Sequence, residues 1–231
     1  MLVSAAACPH PPALVPVVSQ GAAGRLADLR AACIDVVRRL GDADPDVLVC
    51  IGAGPETRRW GGDAGGSLAA FGVDVRFGGA EIELPLALTI GAYLIEAAGS
   101  LRCDVFQAVS SDRSADGCRA LGAELADVAA RVALLVMGDG SAKRNIRSPG
   151  YFDDRAEVFD AAVSGALSAP SPEALLEIDA ALADDLWVAG RPSWQALAGA
   201  ILASSTEWSG RLAYAQAPLG VGYIVVHLWS A

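Results

Sequence analysis

The sequence predicts an α/β protein. One domain over residues 1–231 carries a mixed, mostly parallel central sheet flanked by helices, with a β-hairpin at its C-terminal end. Three observations lead there. Short, continuous apolar runs recur as "DVLVCIGAG", "CDVFQAVS" and "ALLVMGDG", and such runs suit parallel strands covered on both faces. Segments of helical period separate them, and strand–helix alternation builds an open sheet with ligand sites at the carboxyl ends of its strands. A chain of 231 residues, 53% hydrophobic with mean hydropathy +0.40, has enough apolar surface for one large core.

The elements follow in order. "LVSAAAC" reads as a buried first strand, and the Pro-rich "CPHPPALVP" after it as a loop. Residues 23–42 space Leu, Ala, Ile and Val as a helix does, with Gly41 as a stop signal. "DVLVCIGAG" is a parallel strand, and the aperiodic "PETRRWGGDAGG" reads as a Gly-rich loop. "VDVRFG" is expected as an edge strand. Residues 84–101 are expected as a buried helix with Pro85 in its first turn. A strand over "CDVFQAVS", a helix over residues 114–132 and a strand over "ALLVMGDG" come next. Three helices then span residues 153–167, 171–190 and 192–205, and "RLAYAQAPLGVGYIVVHLWS" reads as a two-stranded hairpin about a Pro-Gly turn.

Composition excludes several functions. The net charge of −10 disfavours nucleic acid, whose phosphates demand a basic surface, and equally disfavours anionic membranes. No apolar run reaches the ~20 residues of a membrane helix. "MLVSAAAC" lacks the basic region and apolar length of a leader, so a cytoplasmic protein is expected. Cys8, Cys33, Cys50, Cys103 and Cys118 are odd in number, form no CxxC pair and lie in apolar segments. Free buried thiols are therefore expected, not disulfides or a zinc site.

Two glycine clusters invite a nucleotide reading and fail it. "GAGPET" lacks the third glycine of a dinucleotide fingerprint, and Pro55 removes a backbone donor. "GDGSAKR" matches neither that fingerprint nor a phosphate-binding loop. A hydrolase triad lacks its G-x-S-x-G elbow, and only His10 and His227 could act as base. His227, inside "GYIVVHLW", reads as a core or edge histidine with a satisfied hydrogen bond. Asp153, Asp154, Glu157 and Asp160 precede or open a helix, where the dipole favours negative charge, so capping and solvation account for them. Lys143 is the sole lysine and Asn145 the sole asparagine, both in "GDGSAKRN", a hint of local constraint.

The order of "CPHPPALVP", "VLVCIGAGP", "VMGDGSAKR", "AGRPSWQALAGA" and "APLGVGYIVV" resembles the class III extradiol ring-cleavage dioxygenases, in their B-type catalytic subunit (LigB-like) group. The resemblance covers nearly the whole chain and implies the LigB-like fold. It also implies a mononuclear iron(II) site of two histidines and one glutamate, with a further histidine for acid–base work. His10 matches the first ligand. Gly54 stands at the second histidine, Ala142 at the acid–base histidine and Arg191 at the glutamate. Glycine and alanine offer no ligand, and a guanidinium has no acceptor lone pair.

The resemblance therefore implies a catalytically degenerate relative. Ancestral iron(II) is lost, no cofactor is expected, and His10 is the only matching ancestral ligand. The expected ligand is a small anionic or aromatic molecule in the ancestral cleft, lined by His10, Gly54, Asp139, Ser141, Lys143, Arg144 and Arg191. An anion there could meet Arg191, which precedes Pro192 at a helix start; alternatively Arg191 pairs with Asp139 and fills the cavity. Two other readings stand beside this one. A metal-independent enzyme would use Lys143 and Asp139 as its catalytic candidates. A structural protein would act through self-association, and the family's habit of dimerising implies a homo-oligomer.

Overall fold

A computed structural model describes residues 1–19, 24–99 and 101–230. In chain order, strand β1 (Leu2–Cys8) leads through a short α1 (Pro16–Ser19) into α2 (Ala27–Arg39) and β2 (Val47–Gly54). Four short strands follow: β3 (Arg58–Gly61), β4 (Ala64–Ser67), β5 (Arg76–Gly78) and β6 (Glu81–Ile82). Next come α3 (Leu86–Ala98), β7 (Val105–Ser110), α4 (Ala115–Ala126) and β8 (Val132–Met137). The helices α5 (Arg155–Ser168), α6 (Pro172–Leu176), α7 (Ala180–Asp185) and α8 (Arg191–Ser204) precede the hairpin of β9 (Trp208–Gln216) and β10 (Tyr223–Ser230).

The main sheet runs β3-β7-β2-β8-β1-β10-β9. Its centre, β7-β2-β8-β1, is parallel, and both flanks are antiparallel. This is the mixed α/β sheet expected, folded as a single compact unit with its closing hairpin, but its pairings divide evenly, three parallel and three antiparallel, because the hairpin and β3 add antiparallel edges. A smaller sheet, β5-β4-β6, sits apart from it, and "VDVRFG" supplies an edge strand of that sheet.

Alternation along the strands divides the core between the two faces. Leu134 and Val136 of β8 face one side with α4, α5 and α8, while Ala133, Leu135 and Met137 face the other with α2 and α3. Leu29, Cys33, Val36 and Val37 give α2 the stripe it buries on that second face. Helix α8 is sandwiched between the sheet and α4, which makes nearly all its residues buried. Cβ atoms at Gly122 of α4 or Gly199 of α8 would run into the backbone of the other helix. All five cysteines are free and buried.

Three element boundaries differ from expectation. "PETRRWGGDAGG" is no loop: Arg58–Gly61 pairs with β7, and Ala64–Ser67 is the central strand of the small sheet. Arginine and glycine carry little strand preference; β4 needs glycines because Gly65 lies against the Gly79 backbone. Residues 171–190 form not one helix but two, because Asp179 caps a new start by accepting from the N–H groups of Ala181 and Leu182. Pro85 is the residue before α3, not part of its first turn. Ala23 and Ser100, inside two of the expected helices, lie outside the described residues.

Candidate functional site

After β1 the chain passes to α2 on one face; after the neighbouring β8 it passes to α5 on the opposite face. The crevice between the carboxyl ends of two strands whose connections part in this way is the favoured ligand position of an open α/β sheet. Here the ladder ends at Cys8 opposite Met137, and Gly138 N–H donates to the Cys8 carbonyl at 2.9 Å. Two residues beyond each strand end stand His10 and Asp139.

They meet. The His10 backbone N–H donates to Asp139 Oδ1 at 2.7 Å, and His10 Nδ1 lies 3.7 Å from the same oxygen. Nδ1 is buried without a hydrogen-bond partner. The Asp139 side chain keeps 17% of its surface exposed, so its carboxylate is reachable from solvent. Tyr223, the first residue of β10, lies across β1 from Asp139. Burial, then the nearby Asp139 charge, pushes its phenol well above the usual range. The phenol therefore stays protonated near neutral pH and can donate a hydrogen bond. Sequence reasoning missed Tyr223 as a site residue; its signal was the end of "GVGY".

The other expected site residues do not converge here. Gly54 ends β2, but a Cβ there would stand 2.8 Å from Ala108 Cβ, so no side chain fits without movement. Ala142 is held by its backbone, donating to Leu186 O at 2.9 Å and accepting from Gly150 N at 3.0 Å. Arg191 is buried at the start of α8, and its guanidinium donates to Gln195 Oε1 (3.1 Å), Arg113 O (3.2 Å) and Ser111 O. The Arg191–Asp139 pair is not formed. The start of α8 is buried against the end of β8: Ser193 Oγ donates to Met137 O at 2.7 Å, and Gly190 N–H to Asp139 O at 2.9 Å.

Lys143 and Arg144 also turn elsewhere. Lys143 Nζ lies 5.7 Å from the ring centroid of exposed Trp187, a cation–π contact. Arg144 pairs with Asp160 at 3.1 Å and Glu157 at 3.3 Å. Asp160 is not the solvated residue expected: it is 4% exposed and is the hub under the site. Its carboxylate accepts from Ser141 N and Ser141 Oγ, both at 2.8 Å, and from Arg144 Nη1 at 3.1 Å. Burial pushes its carboxyl upward, against the pull of Ser141 and Arg144. Ser141, fully buried, is thus a support and not a wall of the crevice. The glycines of "GDG" and "GVG" make room for this carboxylate: a Cβ on Gly140 would stand 2.6 Å from Asp160 Oδ1, and one on Gly222 would also collide with it.

This donor set does not fit the iron(II) that the family resemblance implies. His10 and Asp139 are the groups present, the imidazole nitrogen facing the carboxylate lies within its reach, and positions 54, 142 and 191 bring no ligand. Among the described residues, no group of three or more His, Cys, Asp or Glu side chains could hold a metal ion.

No family model matches the chain, and no curated protein matches it. Among solved structures it is similar to the uncharacterized protein JW3007 from Escherichia coli K12, with a TM-score of 0.53 and 13% identity. The match covers 99% of this chain and 100% of that one. At such identity the likeness is one of fold, and it extends over the whole described architecture.

Proposed function

We propose that this chain is an extradiol-dioxygenase-like protein without iron-dependent ring cleavage, which binds a small hydroxylated aromatic molecule between His10, Asp139 and Tyr223. The observation that carries the reading is the His10–Asp139 contact at the strand crevice. A carboxylate and an imidazole accept hydrogen bonds, and a protonated phenol donates one, so the cluster suits a ring hydroxyl. An anion at this place is the weaker reading, because Arg191, Lys143 and Arg144 are all engaged elsewhere. The same cluster is where metal-independent proton transfer would occur, with Asp139 orienting His10 as base; Lys143 has no part in that chemistry.

Further expectations belong to this proposal. Exposed Ile146, Tyr151, Phe152 and Trp187 support self-association, and the free thiols support a reducing, cytoplasmic setting. No described helix is long and apolar enough to cross a membrane.

The test is calorimetric titration with catechol, together with metal analysis of protein refolded or purified with iron(II). We expect no stoichiometric iron, saturable catechol binding, and at least a tenfold loss of affinity in Asp139→Ala. Bound iron with ring-opened product, or catechol affinity unchanged in that variant, would overturn the reading.

A further inference from the structure

A second groove lies at the other end of the sheet, where β1 begins. Its residues His227 and Trp229 lie opposite Ala6 and Ser4, so it is roughly 13–20 Å from His10 at ~3.3 Å per residue along β1. Side chains of β10 alternate, so Val225, His227 and Trp229 share the α2 face. Val225 is core, whereas His227 is half-buried and Trp229 is 38% exposed, because α2 stops short of covering them. A cavity of about 550 Å³ opens between α2 and this strip, lined by Ala31, Val36, Arg39, Arg211, His227 and Trp229 among others. A second, of about 480 Å³, shares Arg39, His227 and Trp229 with it. Each has the size of a small-molecule site.

The groove is bordered by an aromatic pair. The His227 and Trp229 rings are stacked, 5.2 Å between centroids and 29° between planes. Ser4 Oγ, 3.2 Å from His227 Nε2, donates its own proton to Leu228 O at 3.2 Å, so it accepts from Nε2–H and holds the imidazole in place. Burial, then the Arg39 charge, pushes the His227 pKa down, so the ring is neutral near pH 7. Ala31, Ala32 and Val36 supply an apolar wall.

The cations differ in their engagement. Arg39 is held by Asp35 at 2.9 Å. Arg211 stands opposite His227 in the β9–β10 ladder, on the same face as the ring stack, and makes no ion pair with any described residue. Asp35 lines the same cavity but is spent on Arg39, and Asp42 lines the adjoining one, so Arg211 is the guanidinium of this groove left without an ion pair among the described residues and the one an anionic head can take. We propose that this groove binds an aromatic carboxylate, its ring laid on the His227–Trp229 stack and its carboxylate on the Arg211 guanidinium. The site is independent of the His10 cluster.

The experiment is calorimetric titration of 2-naphthoate, with naphthalene-2-methanol as the uncharged comparison. Wild-type protein should bind the carboxylate at least tenfold more tightly than the alcohol, a comparison that needs no variant. Arg211→Gln and Trp229→Ala, both at solvent-exposed side chains, should each weaken naphthoate at least tenfold, Arg211→Lys should recover part of the loss, and His10→Ala should leave it unchanged. Equal affinity for the two probes, or naphthoate binding unchanged in Arg211→Gln, would overturn the proposal. So would a dimer seen by light scattering that Trp229→Ala dissociates, since the groove would then be the seat of a second copy.

Discussion

Replacing Asp160 by Asn should cost about 3 kcal/mol of stability at neutral pH. The carboxylate is 4% exposed, and its three described partners, Ser141 N, Ser141 Oγ and Arg144 Nη1, all donate. A carboxamide has one acceptor oxygen and one NH2. If the oxygen faces Ser141 Oγ and Arg144, the NH2 confronts the Ser141 N–H; if flipped, it confronts the guanidinium. Either way a buried donor is left unsatisfied, at ~1–3 kcal/mol. Arg144 also loses its buried partner. Breaking a buried pair costs ~3–5 kcal/mol, but Arg144 is 21% exposed and keeps exposed Glu157, so solvent and that second carboxylate take back much of this. Relief from burying a charge subtracts further, which brings the sum to ~2–4 kcal/mol. For a chain of this length that corresponds to a Tm lower by ~4–16 °C. Urea unfolding and a thermal melt of the two proteins measure it. A loss under ~0.5 kcal/mol would refute the claim that Asp160 is the hub beneath the strand crevice.

Two further outcomes follow from the geometry. Gly54→His, which supplies the histidine that the family resemblance implies at this position, should fail to bring stoichiometric iron and should destabilise by ~1–3 kcal/mol, because its Cβ stands 2.8 Å from Ala108 Cβ; metal analysis and a urea titration check both. His227 has its pKa lowered in the folded state, so the unfolded chain binds the proton more readily. Its contribution is therefore full above the unfolded value near 6.5 and is lost as pH falls through that value toward the folded one. Melts between pH 7.5 and 5, on the order of one per half unit across the histidine range, should show wild-type stability falling more steeply than that of His227→Gln; parallel slopes would remove His227 as the titrating group.

Much of this architecture is legible in one dimension. "LVSAAAC", "DVLVCIGAG", "CDVFQAVS" and "ALLVMGDG" announce buried strands because a strand covered on both faces has nowhere to put polar groups. The stripe of Leu29, Cys33, Val36 and Val37 announces α2 for the parallel reason in a helix. What escaped was structure made by partners. Arg58–Gly61 becomes a strand because β7 offers an edge, and the glycines of β4 become one because only they allow the approach of residues 78 and 79. Asp160 is the sharper case. Its place at the start of a helix suggested solvation, and it is burial against Ser141, contributed from nineteen residues away, that gives it another role.

The sequence by itself determined the alternating α/β order, the parallel centre of the sheet, the free thiols and the poverty of metal ligands at the strand ends. These are properties of residue type and local period, and no tertiary contact can add a histidine to a chain that has two. Only the tertiary structure decided which of the polar residues meet. Lys143 and Arg144 share a motif with Asp139, and Arg191 was expected in the same cleft, yet each finds another partner: an indole, a buried carboxylate and backbone carbonyls. His10 and Asp139 meet from just beyond the ends of two strands far apart in sequence. The reason is that a side chain's partner is set by which strands are neighbours and which face each residue takes, and both follow from how the whole sheet is wound.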